Sequence, residues 1–192
     1  MEDNKEQVNL HDQLILAGIE ELNQYGIHSF SVRRIANKCG VSCAAPYKHF
    51  SDKQNFIAEI IMYINAKWYE RQKLIIEKYP SLIRKQIVEI CLEYIRFLLE
   101  NSQFRSIIML KYDEFDKKYS SLRNKLSICS YELVSKYAKE VNMPPEIKLR
   151  KTFIIRSILY GAALMFDNGE LEYTEENMKM VAYSIEREFD LP

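Results

Sequence analysis

Basic side chains cluster in one short stretch of a chain that has no net charge overall. The 192 residues carry 27 basic and 27 acidic side chains, but between residues 31 and 53 five basic side chains stand against one acid, Asp52. The five are Arg33, Arg34, Lys38, Lys48 and Lys53. A local basic patch is the electrostatic footprint of a surface that binds phosphate groups, so we expect this stretch to contact nucleic acid.

Two short helices separated by a tight turn are predicted in the same stretch. Ser31 is a helix N-cap residue, apolar residues follow it at helical spacing, and Gly40 stands where a left-handed C-cap ends such a helix. Ser42 is a second N-cap, which predicts a second helix over residues 43–50. This arrangement is a helix-turn-helix, whose second helix enters the major groove of DNA.

The stretch resembles the N-terminal DNA-binding domain of the TetR family of transcriptional regulators. The pattern Ser-Val-x-x-Ile-Ala-x-x-x-Gly-Val-Ser-x-x-x-x-Tyr-x-His-Phe-x-x-Lys runs from Ser31 to Lys53. The resemblance implies that the start of the first helix lies near phosphate, that the small residues after the turn face the groove, and that later residues hold the DNA backbone. The candidate DNA contacts are Ser31, Arg33, Ser42, Cys43, Ala44, Tyr47, Lys48, His49 and Lys53.

Pro46 and Cys43 set this stretch apart. The family more often has leucine or threonine where Pro46 stands; proline removes at most one early hydrogen bond there, and we expect it to tilt the second helix. Cys43 stands at the predicted N-terminus of the second helix, where an exposed thiol would be open to oxidation. For the cysteines as a group, incidental or buried thiols are favoured over a redox or metal sensor, and no metal or cofactor is expected.

The rest of the chain is predicted to be helical. Its 47% hydrophobic content is typical of a globular protein, and five glycines and five prolines favour helices over sheet. We predict an all-α fold of about nine helices, over residues 9–25, 31–39, 43–50, 53–79, 81–101, 103–112, 117–141, 146–166 and 174–189. The proposed domains are a three-helix DNA-binding domain, residues 1–52, and a helical bundle for effector binding and dimerisation, residues 53–192. The helix over 53–79 would be the lever between them.

The last two helices are the candidates for dimerisation. Small residues would let a partner helix approach closely, beside large apolar contacts. The residues concerned are Ile155, Leu159, Gly161, Ala162, Ala163 and Phe166. The alternative is that this hairpin only closes the core of its own subunit, since small residues also serve ordinary helix packing.

An apolar pocket between the C-terminal helices is the candidate effector site. Its proposed lining is Tyr63, Trp68, Glu93, Tyr94, Phe97, Phe104, Met109, Tyr112, Tyr131 and Phe153. An inward Glu93 would favour a cationic effector, unless it pairs with Arg96 one helical turn away. Each aromatic residue also has the plainer interpretation of a core side chain, and the resemblance does not name an effector.

Several classes of function are disfavoured. The sequence has no glycine-rich phosphate loop, no His-Glu-x-x-His pair and no nucleophile elbow, so an enzyme is not expected. It has no apolar run of membrane-spanning length and begins with polar, acidic residues, so we expect a cytoplasmic protein without membrane contact. The expected function is a homodimeric repressor that binds a two-fold-symmetric double-stranded DNA operator and is released by a small-molecule effector. The alternative is a helical small-molecule-binding protein that retains the motif without regulatory DNA binding.

Overall fold

The chain is all-helical wherever the structure, a computed structural model, describes it: residues 9–101 and 120–191, with side chains from residue 129 onward in the second range. The α-helices there are α1 (Leu10–Tyr25), α2 (Val32–Lys38), α3 (Lys53–Lys78), α4 (Ile83–Glu100), α5 (Ser120–Glu140), α6 (Pro145–Asp167) and α7 (Glu175–Asp190). One turn of 3-10 helix, Pro46–Lys48, precedes α3.

The predicted all-α class is therefore confirmed, but the count of nine helices is not. Over the described ranges there are seven α-helices. The helix expected over residues 43–50 is a 3-10 turn, and the one expected over 103–112 lies outside the described residues. No helix in the described part of the chain combines the length and apolar character needed to cross a membrane.

The structure divides into two compact units, and the division falls inside α3, between Ala66 and Lys67. Among the described residues, the first unit holds 9–66 and the opening turn of α5, and the second holds 67–101 and 124–191. The domain boundary proposed at residues 52 and 53 stays a prediction.

In the first unit α1 packs along α2 and approaches α3 closely at Gly18. A β-carbon on Gly18 would lie 2.6 Å from the Cδ1 atom of Ile60, so a larger residue here would require the Ile60 side chain to move. Phe50 and Phe56 stack with their ring centroids 3.8 Å apart, and Phe30 meets Phe56 edge-on at 5.4 Å. These rings anchor the segment between α2 and α3 to the core.

In the second unit, α4 is the central helix. It packs against α6 and α7 and buries side chains on most of its faces, as its nearly continuous apolar sequence predicts. The end of α7 is held by two cations: Lys151 donates to the Glu188 and Leu191 carbonyls at 2.5 and 2.6 Å, and Arg84 donates to Asp190. Cations at this end complement the helix dipole.

Candidate nucleic-acid interface

Helix α2 begins and ends where the sequence predicts. The Ser31 hydroxyl accepts a hydrogen bond from the Arg34 amide at 3.4 Å. At the other end Gly40 has a φ of 68°, and the Val41 amide donates to the Ala36 carbonyl at 3.0 Å. Together these features form a Schellman C-cap, which requires a residue that adopts positive φ without strain. The first helix of the motif and its turn are confirmed.

The second predicted helix is replaced by a tighter structure. The only helical hydrogen-bond pattern assigned within residues 43–50 is the 3-10 turn Pro46–Lys48. Because proline has no amide hydrogen, Pro46 cannot make the bond to the Ser42 carbonyl that an α-helix needs at this position. The Ala45 amide donates to that carbonyl instead, at 2.9 Å, which closes a turn one residue shorter. The segment that contains Pro46 is therefore a 3-10 turn and not the expected α-helix.

The candidate DNA contacts lie at the surface of the first unit, on α2 and the segment that follows it. Arg33, Ser42, Cys43, Ala44, Tyr47, Lys48 and His49 are exposed, and Ser31 and Lys53 are half-buried. Tyr47 leaves 55% of its surface exposed, far more than an aromatic residue of the core would. The Lys53 ammonium, at the start of α3, donates to the His28 carbonyl at 3.4 Å. These side chains are therefore accessible to a partner.

Two of the five basic side chains are already neutralised, which corrects the charge expected from the sequence. Arg34 forms an ion pair with Glu21, and Lys38 forms one with Glu20. The hydrogen bond to Glu21 raises the pKa of the Arg34 guanidinium. Both acids lie on α1, outside the stretch in which charges were counted. The basic character of the surface consequently rests on Arg33, Lys48 and Lys53.

Asp52, the one acid of the stretch, has a local role. Its Oδ1 accepts a hydrogen bond from the Asn55 amide at 2.7 Å, and the Asn55 side chain accepts one from the Ser51 amide at 3.2 Å. Asp52 thus caps α3 and places a negative charge at the positive end of the helix dipole. Asp52 therefore opposes the charge of the nearby basic side chains and also stabilises the helix that begins with Lys53.

Two residues of this unit were not predicted to belong to the site. The His11 ring packs against Phe50 and His49, with centroids 5.2 and 5.9 Å apart. Glu21 is nearly buried at 7% exposure and binds the start of α2. Neither residue is part of the motif. A glutamate among the apolar positions of α1 was the only available signal for Glu21.

The cysteines of the first unit differ in accessibility. Cys43 is exposed, at the beginning of the segment after the turn. Cys39 is half-buried, and burial raises the pKa of its thiol. The redox role suggested for Cys43 stays a prediction.

Part of the proposed effector lining meets in the second unit. The Trp68 ring centroid lies 5.2 Å from that of Tyr94 and 5.3 Å from that of Phe97. Burial raises the pKa of the Tyr94 hydroxyl, which is hydrogen-bonded to Tyr160. We call Trp68, Tyr94, Phe97 and Tyr160 the aromatic cluster.

Glu93 lies beside this cluster but is not a free carboxylate. It accepts hydrogen bonds from Arg71 at 2.8 Å and from Arg96 at 3.2 Å. Arg71 also donates to Glu100 at 2.6 Å. The pairing with Arg96 that the sequence offered as an alternative is present, and two guanidinium groups neutralise Glu93. Its charge therefore gives no preference for a cationic effector.

Three other proposed lining residues lie in the first unit or at the surface. Tyr63 lies half-buried in the first unit. Tyr131 and Phe153 are 66% and 69% exposed, because their positions on α5 and α6 face away from the core. Phe104, Met109 and Tyr112 fall outside the described residues. Two surface clefts, of about 360 and 280 Å³, are lined by other residues, one in each unit.

Most of the proposed dimer contacts are buried inside their own subunit. Leu159, Ala162, Ala163 and Phe166 are each at most 8% exposed, because α6 turns this side toward α4 and α7. Ile155 is half-buried. Gly161 differs from them: a β-carbon there would meet no atom within 4 Å. The exposed apolar side chains of the α6–α7 hairpin are instead Leu149, Phe153, Leu164, Met165, Tyr173, Met180 and Tyr183.

Comparison with protein-family models supports a helix-turn-helix region in the first unit. Residues 14–60 match the family model described as bacterial regulatory proteins, tetR family. No curated protein sequence matches the chain.

Solved structures match nearly the whole chain. FadR of Bacillus subtilis, a transcriptional regulator in complex with stearoyl-CoA, superposes with a TM-score of 0.72 at 13% identity, covering 92% of this chain and 96% of that one. A TetR family regulator of Marinobacter aquaeolei VT8 has a TM-score of 0.71 at 16% identity, covering 93% and 94%. A TetR-like regulator of Rhodococcus sp. RHA1 has a TM-score of 0.65 at 18% identity, covering 92% and 91%.

The family match and the shared fold agree with each other. The resemblance to the TetR family is confirmed: residues 14–60 match the model of the tetR family of bacterial regulatory proteins, and the chain has the fold of solved TetR-family regulators.

Proposed function

We propose that the protein is a transcriptional repressor that binds a two-fold-symmetric operator as a homodimer and is released by a small-molecule effector. The observation that carries the proposal is the exposed surface formed by the start of α2 and residues 42–53. Arg33 and Lys48 project from it to solvent, and Tyr47 is available for packing on the DNA backbone. Phosphate contacts from such side chains position a protein on the duplex, while the segment between them reads the groove.

The short 3-10 segment limits how sequence is read. A single turn presents fewer side chains to base edges than an α-helix of two turns, so phosphate contacts supply most of the affinity in this proposal. Ser42, Cys43 and Ala44 are small and exposed, which lets the backbone come close to the bases. We expect base preference to depend on Lys48 and on these three residues.

Dimerisation is proposed through the exposed apolar side of the α6–α7 hairpin. On α6, Leu149, Phe153 and Leu164 lie within one narrow stripe, roughly opposite the buried side chains of the same helix. Met180 and Tyr183 on α7 are exposed as well, at 51% and 65%. Apolar side chains in this number favour burial against a second copy. A dimer would place two binding surfaces on half-sites roughly 34–36 Å apart.

The effector is proposed to bind near the aromatic cluster through an apolar group. Trp68, Tyr94 and Phe97 offer apolar surface. The nearby carboxylate of Glu93 is already paired with two arginines. Because FadR shares the fold and was solved with stearoyl-CoA, long-chain acyl-CoA thioesters are the first effector class to test.

Helix α3 is the proposed link between effector and DNA. It carries Lys53 at its first residue and Trp68 further along, so one helix holds both a candidate DNA contact and a member of the aromatic cluster. An effector shifts the equilibrium between two arrangements of this lever only by its differential affinity for them.

Fluorescence anisotropy tests the DNA-binding surface. The protein is titrated onto DNA from upstream of its own gene and onto unrelated DNA, each over a salt series. We expect tight binding to the upstream DNA alone, with Lys53→Ala weakening binding to both DNAs and reducing the salt slope by about 0.9 for each of the two lysines in the dimer. Lys48→Ala should also relax base preference.

Lys38→Ala is the matched control, because Lys38 is already paired with Glu20 and should contribute little. If Lys53→Ala and Lys48→Ala bind like wild type, the assigned surface is wrong. Equal, weak binding of the wild type to both DNAs would favour a ligand-binding protein without this regulatory function.

A further inference from the structure

The nearly buried carboxylate of Glu21 gathers several hydrogen bonds from the chain that leads into α2. Its Oε1 accepts from the Ser31 amide at 3.0 Å and from Arg34 Nε at 2.9 Å, and Arg34 Nη2 also donates to it. Its Oε2 lies 3.3 Å from Arg34 Nε. Glu21 belongs to α1, so one side chain fastens the first turn of α2 to another helix.

Arg34 extends this attachment to the loop between the two helices. Its Nη2 donates to the Ser29 carbonyl at 2.5 Å, and its guanidinium carbon lies 4.2 Å from the centre of the Tyr25 ring. A bidentate arginine–carboxylate pair has a defined geometry, and a buried carboxylate without its partner is costly. The clamp formed by Glu21 and Arg34 therefore allows little variation in the position of the α2 N-terminus.

The residue that precedes Arg34 makes no such attachment. Arg33 is exposed, and no hydrogen bond or ion pair joins it to another of the described residues. Ser31, whose amide binds Glu21, and Arg33 are both candidate phosphate contacts. Of two adjacent arginines, one is committed to the clamp and the other is left for a ligand.

We propose that Glu21 is a positioning residue for DNA binding, which holds Ser31 and Arg33 where they meet phosphate. This inference rests on the proposed function. Phosphate contacts set the register of a protein on DNA, so a loosened α2 N-terminus should lose affinity even though every cation is still present.

Positioning and simple electrostatics predict opposite changes in DNA affinity when the Glu21 carboxylate is removed. Removing a carboxylate from a DNA-facing domain raises affinity if charge alone matters. Glu21→Leu removes all the acceptors but keeps an apolar side chain in a nearly buried place. Positioning predicts that it weakens operator binding roughly tenfold and lowers the salt slope by about one for each subunit of the dimer.

Glu21→Gln serves as the conservative variant, because it keeps one acceptor oxygen and loses the charge. It should retain most of the wild-type affinity. A charge effect would instead make both variants bind at least as tightly as wild type, and that result would overturn the inference. Glu20→Leu is the matched control: it removes the neighbouring exposed acid, which pairs with Lys38, and should not weaken binding.

A double-mutant cycle completes the test. If Glu21 acts through Arg33, the double variant Glu21→Leu/Arg33→Ala should bind only slightly more weakly than Arg33→Ala alone. If the losses of DNA affinity in the two single variants multiply fully in the double variant, the inference is overturned while the proposed function stays intact. If Arg33→Ala and Lys53→Ala both bind like wild type, the proposed DNA surface itself fails.

Circular dichroism at the assay temperature establishes that each variant is folded. Should Glu21→Leu not fold, Arg34→Lys carries the test, because it keeps the charge but loses the bidentate pair and the bond to Ser29. Weaker DNA binding by Arg34→Lys would support positioning. Wild-type affinity for this variant would contradict it.

Discussion

Replacement of Gly161 tests the proposed dimer most directly. This glycine lies within α6, where glycine is less favourable than alanine by roughly 1 kcal/mol. A β-carbon at Gly161 would meet no atom of its own subunit within 4 Å. Nothing in the described part of the subunit therefore requires glycine here, whereas a partner helix in close contact would.

Two substitutions at this position should have different consequences. In an isolated subunit Gly161→Ala should raise the free energy of unfolding by about 1 kcal/mol, or about 2–4 °C in Tm for a chain of this size. Within a tightly packed dimer the added methyl group makes the free energy of association less favourable by about 1–3 kcal/mol, so the same variant should associate more weakly. Gly161→Trp should be folded and monomeric.

Sedimentation velocity over a concentration series measures the association, and thermal unfolding by circular dichroism measures the subunit. Leu74→Trp is the control, because it adds the same indole to an exposed position on α3. A Gly161→Trp protein with the wild-type dissociation constant would refute the reasoning and place Gly161 outside the interface. A wild-type protein that sediments as a monomer would remove the dimer from the proposal.

Three further predictions concern Pro46, the thiols and the end of α7. Pro46→Leu should change base preference in a library of operator variants but leave the salt slope unchanged, because it alters the groove-facing segment and removes no cation; a changed slope would contradict this. At pH 8 a thiol reagent should modify the exposed Cys43 in the native protein and spare Cys91, since burial raises the pKa of Cys91 to about 12; native labelling of Cys91, seen by mass spectrometry, would contradict its burial. The hydrogen bond from Arg84 lowers the pKa of Asp190, so this pair stabilises the fold at neutral pH and the contribution is lost as the pH falls below roughly 4. Asp190→Asn should therefore flatten the acid side of the curve of stability against pH, and an unchanged curve would refute this.

Helix ends and the helical class were predictable from the sequence. Ser31, Gly40 and Thr174 cap or end helices as expected, because a cap depends on atoms within about one turn of the chain. The effect of Pro46 is equally local and was underestimated. Its missing amide hydrogen removes one bond that an α-helix there would need.

The free charges of the DNA-binding surface were decided by the tertiary structure. Arg34 and Lys38 look available in the sequence, but their partners Glu21 and Glu20 lie thirteen and eighteen residues earlier, on another helix. Such pairs exist only once α1 and α2 pack together. The same packing makes Glu21 the residue that holds the start of α2.

The sequence by itself determined a helix-turn-helix followed by apolar helices, because caps, turn residues and apolar periodicity act over a few residues. Only the tertiary structure decided which side of α6 is buried, since both sides carry apolar residues. Leu159 and Phe166 face the core, while Phe153 and Leu164 remain at the surface. Burial is a property of how helices pack, so composition alone could not assign these faces.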